Sequence, residues 1–390
     1  MEKLVYGGDA LGRLDGRVVL APFALPGELI RARAGQEKPG LIRARAVEIL
    51  EPAPERVIAP CPYFGRCGGC HYQHAPYEYQ LAAKREILAE EVRRLGKIEP
   101  PREIGVLSGE PWRYRNRAQL HIEGGRIGYW EARSHRLCAI DQCPISSPRV
   151  NDTICALNGM LRDARWPRFL RSLEIFTDER GVQLNVVESH RPVARRFFEW
   201  CAETIPGLVE GALDYEGRFR VSRNAFFQAN RFLADRLVET ALAGAEGESA
   251  IDLYAGVGLF SLAMAHRFRE VAAVESGSAA VRDLVFNAER AGLANVRVEQ
   301  RAVEAYLDAL DRTPDFILAD PPRAGLGPQV VRRLTELRPR TIVLVACDPS
   351  TMARDLAALA AAGYGIETMT LVDLFPQTYH FETVAKLAAS

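Results

Sequence analysis

No stretch of the sequence reaches the ~18 consecutive apolar residues that a membrane-spanning helix needs, although 48% of its 390 residues are hydrophobic. The opening residues, MEKLVYGGDALGRLDG, lack the basic-then-apolar pattern of a secretory leader. These two absences predict a cytoplasmic chain with no membrane partner. An excess of charge is missing as well: 50 Lys and Arg balance 50 Asp and Glu. Such a chain offers no uniformly basic surface, so contacts to nucleic-acid phosphates have to come from local clustering. Two clusters exist: Arg31, Arg33, Lys38, Arg43 and Arg45, then Arg113, Arg115, Arg117, Arg126, Arg133 and Arg136. Either one reads equally well as ordinary solvated surface. Internal repeats and low-complexity segments are also absent. The length then points to two or three packed domains.

Cysteine is present, and unevenly spaced. A cytoplasmic chain is not expected to pair its eight cysteines as disulfides. Three of them, Cys61, Cys67 and Cys70, crowd into ten residues as C-x5-C-x2-C, a spacing that points to a metal or a cluster. A tetrahedral thiolate set needs a fourth member, for which Cys138 and Cys143 are the candidates, while Cys155 and Cys201 read as core. Zinc and a [4Fe–4S] cluster both accept four thiolates, so spacing alone leaves both open.

The hydrophobic rhythm changes along the chain and predicts a multidomain α/β protein. Residues 1–52 read as short β-segments punctuated by Gly-Asp, Asp-Gly and Pro-Gly pairs, the pattern of a small closed barrel of the oligonucleotide-binding kind. Residues 53–230 form a central region with the cysteine segment. Within it, an amphipathic helix over 77–96 carries Leu81, Ile87, Leu88, Val92 and Leu95 at helical spacing and stops at Gly96; it is free to pack on the following domain. YRNRAQLHI, RIGYW, SLEIFT and VQLNVVE then alternate as in a half-buried antiparallel sheet. From residue 231 to 390 strands and helices alternate, which predicts a Rossmann-like parallel sheet.

The chemistry-bearing motifs fall at strand ends of this last region, where open α/β sheets bind ligands. Asp252-Leu-Tyr254-Ala-Gly256-Val-Gly258 follows one strand and opens a helix. Its glycines allow a tight turn and close approach of the backbone to a ligand. Glu275 ends the next strand, where its carboxylate can accept hydrogen bonds from a ribose diol. The third glycine of the dinucleotide fingerprint is missing, which favours a class I methyltransferase over a dehydrogenase. Asp320-Pro-Pro-Arg323 and Cys347-Asp-Pro-Ser350 close two further strands, each with a stiff proline-containing loop. The helix predicted after Cys347 is expected to depress its pKa through the helix dipole; the competing reading is a buried structural cysteine. Glu382 in His380-Phe-Glu-Thr383 fits a base or simple surface charge.

Jointly and in this order, the motifs resemble the RNA uracil-5-methyltransferases of the bacterial 23S ribosomal RNA type, over almost the whole chain. CPYFGRCGGCHYQH is similar to that family's iron–sulfur signature, and DQCP to the site of its fourth ligand. The first fifty residues resemble its RNA-binding TRAM domain. FFQAN, DLYAGVGLFSL, DPPRAG, CDPSTMARD and HFETVAKL resemble its catalytic domain. The resemblance implies methyl transfer from S-adenosylmethionine to carbon 5 of a uridine in 23S rRNA. It implies Cys347 as nucleophile and Glu382 as proton acceptor. Gln228, Tyr254, Gly256, Gly258, Glu275 and Asp320 would bind S-adenosylmethionine, and Cys61, Cys67, Cys70 and Cys143 would hold a [4Fe–4S] cluster. One departure is Ala255, where the family commonly has Cys.

RNA is thus the expected partner, ribosomal first and transfer RNA second; no feature calls for a protein partner. Methylation of the transfer-RNA T-loop uses the same residues and is the nearest alternative. A non-catalytic RNA-binding or ribosome-assembly protein of the same fold, and a redox enzyme joining the cluster to a nucleotide, are alternatives of other classes.

Overall fold

A computed structural model of the protein describes residues 1–389. Among these, no helix is long and apolar enough to cross a membrane. Three larger sheets follow one another along the chain. The first has five strands in the order Lys3–Leu4, Asp9–Leu14, Arg17–Pro22, Leu41–Glu51 and Leu29–Lys38, with a single parallel pairing between its third and fourth members. Among the described residues no strand pairing joins Lys3–Leu4 to Leu29–Lys38, but the Gly27 amide donates to the Met1 carbonyl at 2.9 Å and the Met1 ammonium to the Glu28 carbonyl, so the two ends of the sheet meet just before its last strand begins. Behind it, Glu28 is buried and accepts hydrogen bonds from the Leu25 and Ala53 amides and from the Arg56 guanidinium, which holds its carboxyl below the usual range against the cost of burial.

The second sheet is wholly antiparallel: Val182–Ser189, Leu170–Thr177, Arg117–Glu123, Arg126–Trp130 and Leu137–Ala139. Its inner face packs against the Pro148–Met160 and Arg195–Thr204 helices through Leu120, Ile127, Ile154, Leu157, Leu173 and Phe197. The alternation of RAQLHIE explains why one face is buried and the other solvated.

The third sheet has eight strands, ordered Val296–Gln300, Phe268–Glu275, Gly247–Leu253, Phe316–Ala319, Thr341–Ala346, Glu382–Ala389, Tyr364–Val372 and Gly105–Leu107. The first five run parallel and the sixth is antiparallel to both neighbours. FILA is buried at all four positions, because helices cover both faces of the sheet. The last strand, Gly105–Leu107, comes from far upstream and closes the edge, so chain preceding the central sheet is built into the C-terminal one.

The helix expected over 77–96 is α-helical over Tyr77–Glu91 and then widens into a π-turn over Val92–Gly96. It lies against the Pro349–Ala361 helix. Gly96 stops it for a reason that periodicity does not reveal: a Cβ there would stand 2.9 Å from the Ala353 carbonyl oxygen, and Lys97 follows in the left-handed region at φ 56°. Gly96→Ala is therefore expected to push the two helices apart and to lower stability by about 1–3 kcal/mol. An unchanged urea midpoint at unchanged slope would show that the helices yield freely.

Candidate active site

The carboxyl edge of the eight-stranded sheet gathers most of the residues singled out above. Tyr254, Asp320 and Cys347 directly follow three adjacent parallel strands, and Glu275 ends a fourth. Glu382 arrives from the antiparallel strand. Thr341↔Ala388 through Ala346↔Thr383 is one continuous register, and Cys347 and Glu382 are the residues next to its last pair. The Glu382 charge acts on the Cys347 thiol. The fold thus brings a thiol and a carboxyl into electrostatic reach from distant positions in the sequence.

Burial governs the charge state of this group. Glu382 is buried, with Oε2 lacking a hydrogen-bond partner. Desolvation pushes its carboxyl well above the usual range; Asp320 adds to the rise and the Arg323 guanidinium opposes it. Asp320 is raised to about 7 by burial. Cys347 goes up to about 11, through desolvation first and then the neighbouring Glu382, with Arg323 opposing. The depression expected from the helix dipole is thus overturned. Asp348 caps the Pro349–Ala361 helix, accepting at 3.0 Å from both the Ser350 and Thr351 amides, so the positive helix end is already matched by a carboxylate.

The glycine loop is tied to the next strand. Glu275 accepts from the Gly256 amide at 3.0 Å and from the Gly277 amide at 2.6 Å. At Gly258, φ is +97°, and a Cβ would run into Leu262 and Leu284, so only glycine fits. Tyr254 is half-buried at φ +64°, its hydroxyl pushed up to about 12 by burial. Gln228 is buried, in a segment whose neighbours Ala225 and Phe227 pack on Ala255 and Val257 of the loop. All eight residues linked to cofactor or reaction therefore sit along one sheet edge and the loops upon it.

Three residues here stand in the sequence motifs without a role assigned to them. Asp252 is fully buried, accepts from the Ser261 hydroxyl, and is raised to about 7, mainly by desolvation. Arg323 is exposed yet is the cation facing both Cys347 and Glu382. Phe226 is 66% exposed beside buried Phe227 and Gln228. An arginine or phenylalanine inside a short motif carries no periodic signal, and burial of a strand-end Asp is decided by packing from distant elements.

The four cysteines lie elsewhere. Cys61, Cys67, Cys70 and Cys143 line one cavity of about 140 Å³, and Cys138 does not. Burial and mutual repulsion push Cys61 and Cys70 up and raise Cys67 to about 12. Among the described residues, no three His, Cys, Asp or Glu form a group able to hold a metal ion. The cavity has room for several waters at about 30 Å³ each, more than one ion fills. Cys138 instead accepts from Arg66 Nε at 3.3 Å.

A groove of about 1310 Å³ opens between the first sheet, the cysteine segment and the Arg126–Ala139 hairpin. Arg45, Arg66, Arg133 and Arg136 line it together with Phe23 and Trp130. At its inner end Gly8 backs onto His71 and Tyr379. Nearby, the Tyr6 hydroxyl donates to Asp348 Oδ2 at 3.3 Å and to the Cys347 carbonyl at 3.5 Å. The first sheet thereby reaches the loop that carries Cys347.

A profile of the family described as tRNA (uracil-5-)-methyltransferase matches residues 208–389. A protein of Streptomyces avermitilis named an uncharacterized RNA methyltransferase is 37% identical over 98% of this chain and 96% of its own. One of the same name from Aquifex aeolicus is 30% identical over 99% and 97%. Among solved structures, the tRNA (uracil-54, C5)-methyltransferase of Pyrococcus abyssi, in complex with S-adenosyl-L-homocysteine, superposes with a TM-score of 0.74. It is 26% identical and covers 99% of both chains.

Because Cys347 is held near pKa 11, its alkylation by iodoacetamide in the ligand-free protein should be slow at pH 7.5. The rate should rise about tenfold per pH unit until the thiol ionises. Peptide mass spectrometry of Cys347 across pH reads this directly; alkylation at neutral pH as fast as that of free cysteine contradicts the burial argument.

Proposed function

From the family of uracil-5 RNA methyltransferases, to which this chain belongs, we propose that it transfers a methyl group from S-adenosylmethionine to carbon 5 of a uridine through a covalent Cys347 adduct. The single observation carrying this reading is that Cys347 and Glu382 flank the last pair of two neighbouring strands at the carboxyl edge of the sheet, near enough for the Glu382 charge to act on the thiol.

The chemistry requires that pair. Carbon 5 of uracil is too weak a nucleophile to attack a methyl sulfonium unaided. Addition of the Cys347 thiolate to carbon 6 forms an S–C bond and moves the C5=C6 electrons towards O4, which makes carbon 5 nucleophilic. Once carbon 5 has taken the methyl group, the Glu382 carboxylate removes the carbon 5 proton, the double bond re-forms and Cys347 leaves as thiolate. S-adenosylmethionine supplies the electrophilic methyl group and a positive charge. Glu275, Asp320, Tyr254, Gln228 and the Gly256–Gly258 turn would hold it. In a site holding that charge and Arg323, the ionised forms of Asp320 and Glu382 are favoured. Exposed Phe226 offers a face on which a flipped base can stack, and such a base must leave its helix to reach the site.

The Arg- and aromatic-lined groove suits an RNA strand leading to that pocket, with residues 1–52 as an RNA-binding module, 53–230 as a central domain and 231–390 as the methyltransferase domain. Four arginines of the groove face three carboxylates, Asp9, Glu48 and Glu131, so stacking and shape carry more of the recognition than bulk charge. We assign 23S rRNA as the target from the resemblance of the cysteine and catalytic motifs. Transfer RNA is the second reading, favoured by the full-length likeness to an enzyme named for uracil-54 of tRNA.

The four converging cysteines fit a [4Fe–4S] cluster. Four repelling thiolates require compensating positive charge, and their cavity exceeds one ion. Protein purified without oxygen should contain about four irons and four sulfides per chain. Cys143→Ser should lower both, and Cys138→Ser should leave them intact; the opposite pattern would reassign the fourth ligand.

The activity is tested by trapping on RNA carrying 5-fluorouridine, because fluorine replaces the proton that Glu382 must remove. With S-adenosylmethionine present, a protein–RNA adduct should survive a denaturing gel and vanish in Cys347→Ser. Adduct with 23S rRNA fragments supports the first target, and adduct with transfer RNA alone supports the second. No adduct with either, in protein that binds the cofactor, would leave a non-catalytic RNA-binding role.

A further inference from the structure

The connector between Val372 and Glu382 is unusual for two antiparallel neighbours. Hairpin loops commonly take two to five residues, whereas this one spans residues 373–381. It is also buried: Asp373, Leu374, Gln377, Thr378 and Phe381 are all shielded from solvent. Irregular backbone inside a protein must find partners for every polar group. Here they come from distant segments. Tyr114 donates its hydroxyl to the Pro376 carbonyl at 2.9 Å, and Asn230 donates to Leu374 at 3.0 Å. The His71 and Tyr72 amides donate to the Gln377 carbonyl at 2.8 and 3.0 Å.

One side chain grips both ends. Lys84, on the Tyr77–Glu91 helix, is completely buried, as is its partner Asp373. Its ammonium donates to Asp373 Oδ1 at 2.6 Å, to the Phe375 carbonyl at 3.1 Å and to the His380 carbonyl at 3.0 Å. Those are all three of its donors. Asp373 directly follows Val372, the register partner of Glu382, and His380 lies two residues before Glu382. The ammonium therefore pins together the two chain ends between which Glu382 emerges. One turn earlier on the same helix face, the Gln80 amide group donates to Gln377 Oε1 and its carbonyl accepts from the Gln377 backbone amide, both at 3.0 Å.

We propose that Lys84 is a positioning residue for the proton-removal step: by fixing the connector it aims the Glu382 carboxylate at carbon 5 of the methylated adduct. This rests on the assignment of Glu382 as proton acceptor made above. A lysine that merely held the scaffold together would affect cofactor binding, thiol addition and proton removal alike. A positioning lysine affects the last of these selectively, because displacement of a catalytic group by about 1 Å costs up to ~100-fold in rate.

The test compares Lys84→Met with the charge-free pair Lys84→Met/Asp373→Asn, which leaves no lone buried carboxylate. Each is assayed on RNA containing [5-³H]uridine and on RNA containing 5-fluorouridine, with S-adenosylmethionine. Tritium release reads proton removal, and the fluorinated adduct reads every step before it. Tritium release is expected to fall ~10- to 100-fold, with adduct persisting on the ordinary RNA. The fluorinated adduct should form within about twofold of the wild-type rate. Glu382→Gln serves as reference: if it does not hold the adduct, the assignment of Glu382 fails, independently of Lys84. Where it does, wild-type tritium release from the Lys84 variants overturns the proposal. So does equal loss of both readouts, or unfolding of both variants, which would place the pair in the scaffold alone.

Discussion

Ionisable groups that must be buried at one edge of a sheet impose the constraint on which the rest of the site depends. Asp252, Asp320, Glu382 and Cys347 are taken largely out of water, and a charge moved into such surroundings is costly unless partnered. The fold answers by letting the protons stay on. Each of these groups is shifted towards its neutral form, with burial the first cause every time. Arg323, at the solvent side, is the charged group that pulls both Cys347 and Glu382 the other way. The ligand-free pocket therefore carries less negative charge than its composition implies, and a bound cation favours the ionised forms of these groups.

Everything upstream of the parallel sheet is arranged around that edge. The nine residues between Val372 and Glu382 are held by hydrogen bonds from residues 71, 72, 80, 84, 114 and 230. These span the cysteine segment, the long helix and the central region. Cys70 immediately precedes His71, whose amide, with that of Tyr72, takes the Gln377 carbonyl. The cysteine segment and the connector are thus joined directly by two backbone hydrogen bonds. The same geometry explains why a strand from residues 105–107 belongs to a sheet otherwise built after residue 247. The central region shares secondary structure with the catalytic layer as well as contacting it.

How much of this could be read from the sequence depends on how local each signal is. The parallel strands were legible because FILA and TIVLVA are continuous apolar runs closed by proline-containing loops. The antiparallel central sheet was legible because RAQLHIE and VQLNVVES alternate. The placement of Asp320, Cys347 and Glu275 at strand ends followed from these. What was hidden depends on contacts between distant segments. Gly96 stops its helix against Ala353. Lys84 reads as one more polar position on an amphipathic helix, yet it is fully buried. The edges of the first sheet depend on pairings that turn residues do not specify. The upward shift of Cys347 was hidden as well, because burial and the facing charge of Glu382 come from packing that a helix after the cysteine does not reveal.

The raised pKa of Cys347 bears on how such a site can be safe at rest. A thiolate in an accessible pocket is open to oxidation and alkylation in proportion to its ionised fraction. At a pKa of about 11 that fraction at neutral pH is roughly one in ten thousand. The terms that hold it there, desolvation and the facing Glu382, are those a bound substrate and cofactor alter most directly. On the proposed mechanism, a cation near Asp320 and Glu382 draws their charge, and a uracil ring over Cys347 replaces the proton with carbon as the partner of sulfur. Nucleophile and base would then be needed as anions at different steps, one at addition and the other at proton removal. Because the Glu382 charge acts on the Cys347 thiol, ionisation of one raises the proton affinity of the other. On that reading the reactivity of the pair rests on their coupling and on how the connector holds Glu382.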